Sequence, residues 1–140
     1  MSSSLYDTLG GDPAVRRLVD RFYDHMDARP DADTPIDADT PIDADVATLR
    51  AMHPPDLGES RDKLYWFLSG WLGGPPLYVM RKGHPRLRAR HLPFTVDRAA
   101  RDAWMRCMDR ALADVVADDE VRAGLSSALG QVATHMMNRG

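Results

Sequence analysis

One histidine of the chain has neighbours that suit iron chemistry. His91 follows the loop-forming triplet Gly83-His84-Pro85 and lies among basic and apolar residues, with another break at Pro93. A neutral imidazole can ligate a metal through one ring nitrogen while the other donates a hydrogen bond that fixes the ring. Iron in haem needs such an axial ligand. His91 is therefore a candidate haem ligand.

Two aromatic residues elsewhere in the chain carry hydrogen-bond donors. Tyr23 offers a phenol and Trp104 an indole N–H, and both donors can stabilise a polar molecule bound at a metal. Aromatic residues on apolar helix faces more often pack in the core. For each residue taken alone, both roles stay open.

The elements that must position these residues are helices. Asp12-Pro13 predicts a helix start, because Asp caps helices and proline suits the first turn, and Asp97 predicts the cap of a later helix. Four apolar stripes have helical spacing. Their members are Val15, Leu18, Val19, Phe22 and Met26; Leu64, Phe67, Leu68 and Trp71; Trp104, Cys107, Met108, Leu112 and Val115; and Val121, Leu125, Ala128, Leu129, Val132 and Met136. The helix of the second stripe is predicted to begin near Gly58 and to end at the glycines and prolines of 73–76. No alternating strand pattern accompanies them. The prediction is an all-α fold with four principal helices.

Length and composition narrow the class of protein. A chain of 140 residues fits one domain with its own core. Cys107 is the single cysteine, so neither an internal disulfide nor a covalent haem link is expected. No apolar run reaches the roughly 18 residues of a membrane span, and the first residues do not resemble a signal peptide. We therefore expect a cytoplasmic protein that binds any haem non-covalently.

The charges are unevenly distributed. Residues 31–45 contain an Asp-Ala-Asp-Thr-Pro-Ile repeat with six Asp and no cation, which predicts a low-complexity acidic loop. Calcium binding there is disfavoured, because the glycine and glutamate of an EF-hand are missing. Around His91, five cations are found: Arg81, Lys82, Arg86, Arg88 and Arg90. Haem propionates are a better match for them than nucleic acid, since no stacking platform accompanies the charge.

Several short segments of the sequence together resemble one protein family. Phe22-Tyr23, Trp71-Leu72-Gly73-Gly74-Pro75, the stretch 83–94 and Trp104-Met105-Arg106-Cys107-Met108 are similar to segments of the group II truncated haemoglobins. The resemblance runs from Leu5 to about His135, except for 31–45. It implies a truncated globin fold, a two-over-two helical sandwich around haem, as a single domain over 1–140.

The resemblance also implies roles for particular residues. His91 corresponds to the family's proximal iron ligand, and Tyr23 and Trp104 correspond to its ligand-binding, or distal, tyrosine and tryptophan. His53, Ser60 and Leu64 fall at further distal positions. The expected contacts to the cofactor are Lys63, Phe67, Leu68, Tyr78, His84, Arg90 and Phe94. Lys63, Tyr78 and Arg90 could equally be solvated surface residues.

The function implied is binding of O₂ and other diatomic ligands, such as CO and NO, at the iron of haem b. Nitric oxide or peroxide detoxification would need a separate reductase, so whether the protein is an enzyme stays open. The alternative is a haem-free helical interaction module, because methionine and aromatic stripes often only fill a core. Haem-based sensing would need a partner, and a monomer and a homodimer are both compatible with the sequence. Nucleic acid and membrane partners are not expected.

Overall fold

The chain folds into helices throughout its described parts. The computed structural model describes residues 4–27, 44–83 and 96–137, and within these ranges it contains seven helices and no strand. They are α1 (Leu5–Leu9), α2 (Asp12–Asp27), α3 (Ala44–Ala51), α4 (Gly58–Trp71), α5 (Leu77–Lys82), α6 (Arg98–Val115) and α7 (Asp119–His135). The four longest, α2, α4, α6 and α7, are the predicted principal helices. The all-α prediction is confirmed.

Local capping explains where the later helices begin. The side chain of Asp97 accepts a hydrogen bond of 2.9 Å from the amide of Ala100, as predicted. Asp118 does the same for α7, accepting from the amides of Glu120 and Val121. Each carboxylate satisfies amides that have no partner within their own helix and lies at the positive end of the helix dipole.

The start of α2 differs from the prediction. Asp12 is the first residue of the helix rather than its cap, and the carbonyl of Gly11 accepts from the amides of Ala14 and Val15. The Asp12 carboxylate instead accepts a hydrogen bond from the hydroxyl of Tyr65 on α4. A tertiary partner has therefore replaced the local capping role that the sequence predicted.

The acidic segment was predicted as a loop over 31–45. Its last two residues, Ala44 and Asp45, lie in the first turn of α3, where an acidic residue is favourable. Helix α3 therefore begins within the last residues of the segment predicted, at about 31–45, as a loop. The rest of the segment lies outside the described residues.

The long helices form two packed pairs. Helix α2 packs on α4, α6 packs on α7, and a contact between α2 and α6 joins the pairs. Helix α3 adds a contact to both α2 and α6. The largest side chains sealed between them are Leu18, Phe22, Leu68, Met108, Leu112, Leu125 and Leu129. This is the two-over-two arrangement expected for a truncated globin.

A close contact fixes α1 against the end of α4. The amide of Tyr6 donates to the carbonyl of Leu72 at 3.0 Å. The Tyr6 ring covers Gly74 so closely that a Cβ there would lie 2.4 Å from a ring carbon. Gly73, with φ of 96°, turns the chain just before this contact. The predicted break after α4 is therefore also a packing site.

The described helices include no candidate for a transmembrane segment. None of the helices in 4–27, 44–83 and 96–137 combines the length and the apolar character needed to cross a bilayer.

Candidate functional site

Phe22 brings the two predicted donor residues together. Its ring centroid lies 4.8 Å from that of Tyr23, in an edge-to-face arrangement, and 5.0 Å from that of Trp104. Phe22 is fully buried, Tyr23 is buried and Trp104 is half-buried. Aromatic pairs in such geometry are more favourable than their buried area alone would give. The α2–α6 contact therefore holds both donor residues against one buried ring.

His53 completes the aromatic cluster from the end of α3. Its ring centroid lies 5.9 Å from that of Tyr23, and its Nδ1 lies 2.9 Å from the carbonyl oxygen of Leu49. A carbonyl can only accept, so the proton of a neutral His53 sits on Nδ1. The other nitrogen, Nε2, is then an acceptor.

The electrostatics of the cluster keep the Tyr23 phenol protonated. Burial raises the pKa of Tyr23 far above its usual value of 10.0, while the positive charge of Arg61 acts in the opposite direction. The hydroxyl is consequently a hydrogen-bond donor throughout the neutral range. Neither this hydroxyl nor the Trp104 indole N–H donates to another residue that the structure describes. Both donors are available to a small acceptor molecule.

Helix α4 contributes the apolar side of the candidate site. Ser60, Leu64 and Phe67 are half-buried, and Leu64 and Phe67 pack against the core from outside it. Leu68 differs, because it is fully buried in the core. Partly exposed apolar side chains of this kind lose further contact with water when an apolar molecule covers them. Leu64 and Phe67 thus fit an apolar cofactor.

The structure describes only some of the residues predicted to contact the cofactor or its iron. Lys63 is exposed and forms an ion pair of 3.1 Å with Glu59, one turn earlier on α4. Tyr78 is buried on α5. His84, Arg90, His91 and Phe94 lie outside the described residues, so their roles stay predictions.

One residue of the site was missed from the sequence. Arg61, on α4, places its guanidinium 5.8 Å from the centre of the Tyr23 ring and pairs with Asp20 and Asp24 of α2. Asp20 and Asp24, which flank Tyr23 in the sequence and lie one turn apart on α2, indicated that a cation would pair with this face of the helix. Only the packing of α4 on α2 identifies their partner.

Comparison with known proteins gives consistent matches over almost the whole chain. The family model described as bacterial-like globin matches residues 4–138. The group 2 truncated haemoglobin YjbI of Bacillus subtilis is 37% identical over 129 residues, which are 92% of this chain and 85% of that protein. A cold-adapted truncated haemoglobin of Pseudoalteromonas haloplanktis has a solved structure with 40% identity and a TM-score of 0.84, covering 99% of this chain and 100% of its own. The group II 2-on-2 haemoglobin of Agrobacterium tumefaciens gives 37% identity and a TM-score of 0.85, covering 99% and 97%.

Proposed function

Because the chain belongs to the bacterial-like globin family and is a group II truncated haemoglobin, a haem protein that binds oxygen, we propose that it holds oxygen firmly for chemistry rather than for transport. The observation that carries the proposal is the pair of donor residues, Tyr23 and Trp104, both packed against the buried ring of Phe22. In this proposal the cofactor is haem b, and His91 would ligate its iron.

The described residues fit the ligand-binding side of a haem pocket. Leu64 and Phe67 offer a partly exposed apolar surface that packs against the same core as Tyr23 and Trp104. When bound, haem would supply an iron that binds diatomic molecules and donates electron density to bound O₂. The phenol and the indole N–H would stabilise that charge in the bound state more than in the free ligand.

The magnitude of this stabilisation supports retention. A hydrogen bond to a charged or strongly polar acceptor contributes about 1.5–3 kcal/mol, and 1.4 kcal/mol corresponds to a factor of ten. Two such bonds would slow oxygen release by roughly a hundredfold or more. Bulk transport needs a ligand that leaves readily. A slowly released oxygen is better suited to reaction with a second molecule.

The reaction proposed is conversion of nitric oxide to nitrate, with peroxide chemistry as the other candidate. Nitric oxide, O₂ and one electron together give nitrate, and the electron would come from a separate reductase. Tyr23 and Trp104 would orient the oxygen and prevent its early loss. The surrounding apolar side chains would exclude water from the reacting molecules.

The retention step can be tested by removing each donor. In Tyr23→Phe and Trp104→Phe, the oxygen dissociation rate measured by stopped flow with CO replacement is expected to rise about tenfold or more, since each variant loses one hydrogen bond. Tyr65→Phe and Trp66→Phe are matched controls on α4, because Tyr65 bonds Asp12 and Trp66 lies under Arg81. Unchanged dissociation in both donor variants would refute the proposed retention.

The reaction itself needs a separate test. The oxygenated protein, mixed anaerobically with one equivalent of nitric oxide, is expected to decay within milliseconds and to yield stoichiometric nitrate. Tyr23→Phe should lower the nitrate yield per nitric oxide at low oxygen, since oxygen would escape first. Slow decay without nitrate would exclude the nitric oxide reaction while leaving the oxygen-retention result intact.

A further inference from the structure

Arg61 forms the most extensive side-chain link between α2 and α4. One guanidinium nitrogen donates to the carbonyl oxygen of Asp20 at 3.0 Å and to its carboxylate at 3.2 Å. The other donates to the carboxylate of Asp24 at 2.9 Å. The planar fork of arginine allows all these bonds at once, which a lysine ammonium cannot reproduce. The α2 segment that carries Tyr23 is therefore clamped from both ends.

The same guanidinium lies beside the Tyr23 ring. Its central carbon is 5.8 Å from the ring centre, within the range of a cation–π contact. The Arg61 side chain is 23% exposed, so water screens its charge only in part. Partial burial acts to lower the pKa of Arg61, but the bonds and charges of Asp24 and Asp20 outweigh it and raise the pKa. Arg61 therefore stays charged beside the ring.

A second arginine on the same interface provides a comparison. Arg16 of α2 pairs with Asp62 of α4 at 2.9 Å and lies 5.1 Å from the centre of the Tyr65 ring. It thus makes the same two kinds of contact between the same two helices. Its aromatic partner, Tyr65, donates a hydrogen bond to Asp12 and is not one of the two donor residues, Tyr23 and Trp104. The chain contains a natural control for Arg61.

We propose that Arg61 is a positioning residue for oxygen binding: its clamp on Asp20 and Asp24 fixes the orientation of the Tyr23 hydroxyl, and its charge strengthens that hydroxyl as a donor. This inference rests on the proposed donor role of Tyr23. Arg61 itself touches neither the ligand nor the iron in this proposal. It acts on oxygen only through Tyr23.

The test compares Arg61→Gln, Arg61→Lys and Arg16→Gln in the haem-loaded protein, each alone and with Tyr23→Phe. Two measurements are made: the oxygen dissociation rate, and the infrared C–O stretch of the carbonyl form, which reports the field of nearby donors. Arg61→Gln is expected to raise the dissociation rate about three- to tenfold and to shift the stretch to higher frequency. Arg61→Lys should restore part of the rate, because it keeps the charge but loses the fork. Arg16→Gln should change neither.

The double variants distinguish the positioning role of Arg61 from the donor role of Tyr23. With Tyr23→Phe present, Arg61→Gln should have no further effect, because no hydroxyl remains to be positioned. A strong effect of Tyr23→Phe and none of Arg61→Gln would overturn the positioning role and leave the donor role standing. An unchanged rate in Tyr23→Phe alone would overturn the donor role. Equal effects of Arg61→Gln and Arg16→Gln would show a general loosening of the α2–α4 interface, and this too would overturn the inference.

Denaturant unfolding of the haem-free variants checks the matching of the control. Both arginine variants remove one inter-helix ion-pair set, exposed for Arg16 and partly buried for Arg61, so both should lower stability modestly. A large kinetic effect for Arg61→Gln alongside similar losses of stability would support positioning. A kinetic effect that follows the loss of stability across all variants would contradict it.

Discussion

Tyr23 shows how burial prepares a single residue for its role. Its phenol is buried next to a cation, and the pKa is raised because desolvation of the phenolate outweighs the attraction of Arg61. The hydroxyl consequently keeps its proton at alkaline pH. The same property links Tyr23 to the stability of the fold.

We expect Tyr23 to make the protein less stable as the pH rises above 10. Above 10.0 the tyrosine of the unfolded chain loses its proton while the buried Tyr23 retains it. The native state then binds more protons than the unfolded state, so the free energy of unfolding falls with pH, by up to about 1.4 kcal/mol per pH unit for one group. Urea titrations of wild type and Tyr23→Phe between pH 8 and 11 measure this. The stability of the Phe variant relative to wild type should be constant below 9 and should rise above 10. A constant difference over the whole range would contradict it.

The histidine of the cluster shows a limit of sequence reasoning at this scale. His53 was predicted to lie beside the ligand, and its ring does contact Tyr23. The position of its proton follows from the bond between Nδ1 and the Leu49 carbonyl, which depends on the turn at the end of α3. The sequence contains both residues, but the direction of the donor can only be read from the geometry.

At the level of elements, local signals predicted the helices and tertiary contacts decided their details. Apolar spacing predicts α2, α4, α6 and α7, and Asp97 caps α6 because capping depends on residues three positions apart. Asp12 was expected to cap α2 by the same rule, yet Tyr65 of α4 binds its carboxylate. The link from Arg61 to Asp20 was missed for the same reason. Contacts between residues distant in sequence were out of reach.

The junction of α1 with the end of α4 allows a sharp test of packing. Gly74→Ala is expected to lower the free energy of unfolding by about 1–3 kcal/mol, because its Cβ would come within 2.6 Å of three Tyr6 ring carbons. Thermal or urea unfolding measures the loss. Tyr6→Ala in the same chain should remove most of the clash, so the two changes should be strongly non-additive.

A matched glycine lies in the middle of α7. Gly124 has no other atom within 4 Å of an added Cβ, so Gly124→Ala should be neutral or stabilising by up to about 1 kcal/mol, from helix propensity. If both alanine variants behave alike, backbone effects dominate and the proposed clash between Gly74 and Tyr6 is wrong. The site residues lie on other elements, so oxygen dissociation should be unchanged in either variant.

At the scale of the whole molecule, the two helix pairs hold the donor cluster at the place where they meet. Phe22 packs on Trp104 across the α2–α6 contact, and Leu64 and Phe67 of α4 pack against the same core. The resemblance predicted this architecture more completely than periodicity, which alone is compatible with a plain four-helix bundle. Partly exposed apolar residues such as Leu64 and Phe67 are expected of a globin that binds a cofactor and not of a bundle that fills its own core.

Haem binding should therefore be coupled to folding. A ligand that binds only the native state stabilises it by an amount that depends on its concentration, about 2.7 kcal/mol at a hundred times the dissociation constant. Haemin titrated into the haem-free protein is expected to give a saturable one-to-one Soret band and a higher unfolding temperature, both measured on the same samples. His91→Ala should weaken both effects, because the iron would lose its proposed ligand. His135→Ala, at the exposed end of α7, is the matched control and should resemble wild type. Nonspecific adsorption of haemin would give an unsaturable band without stabilisation. A bundle that merely fills its own core would show neither effect. Either outcome would reject haem as the resident cofactor.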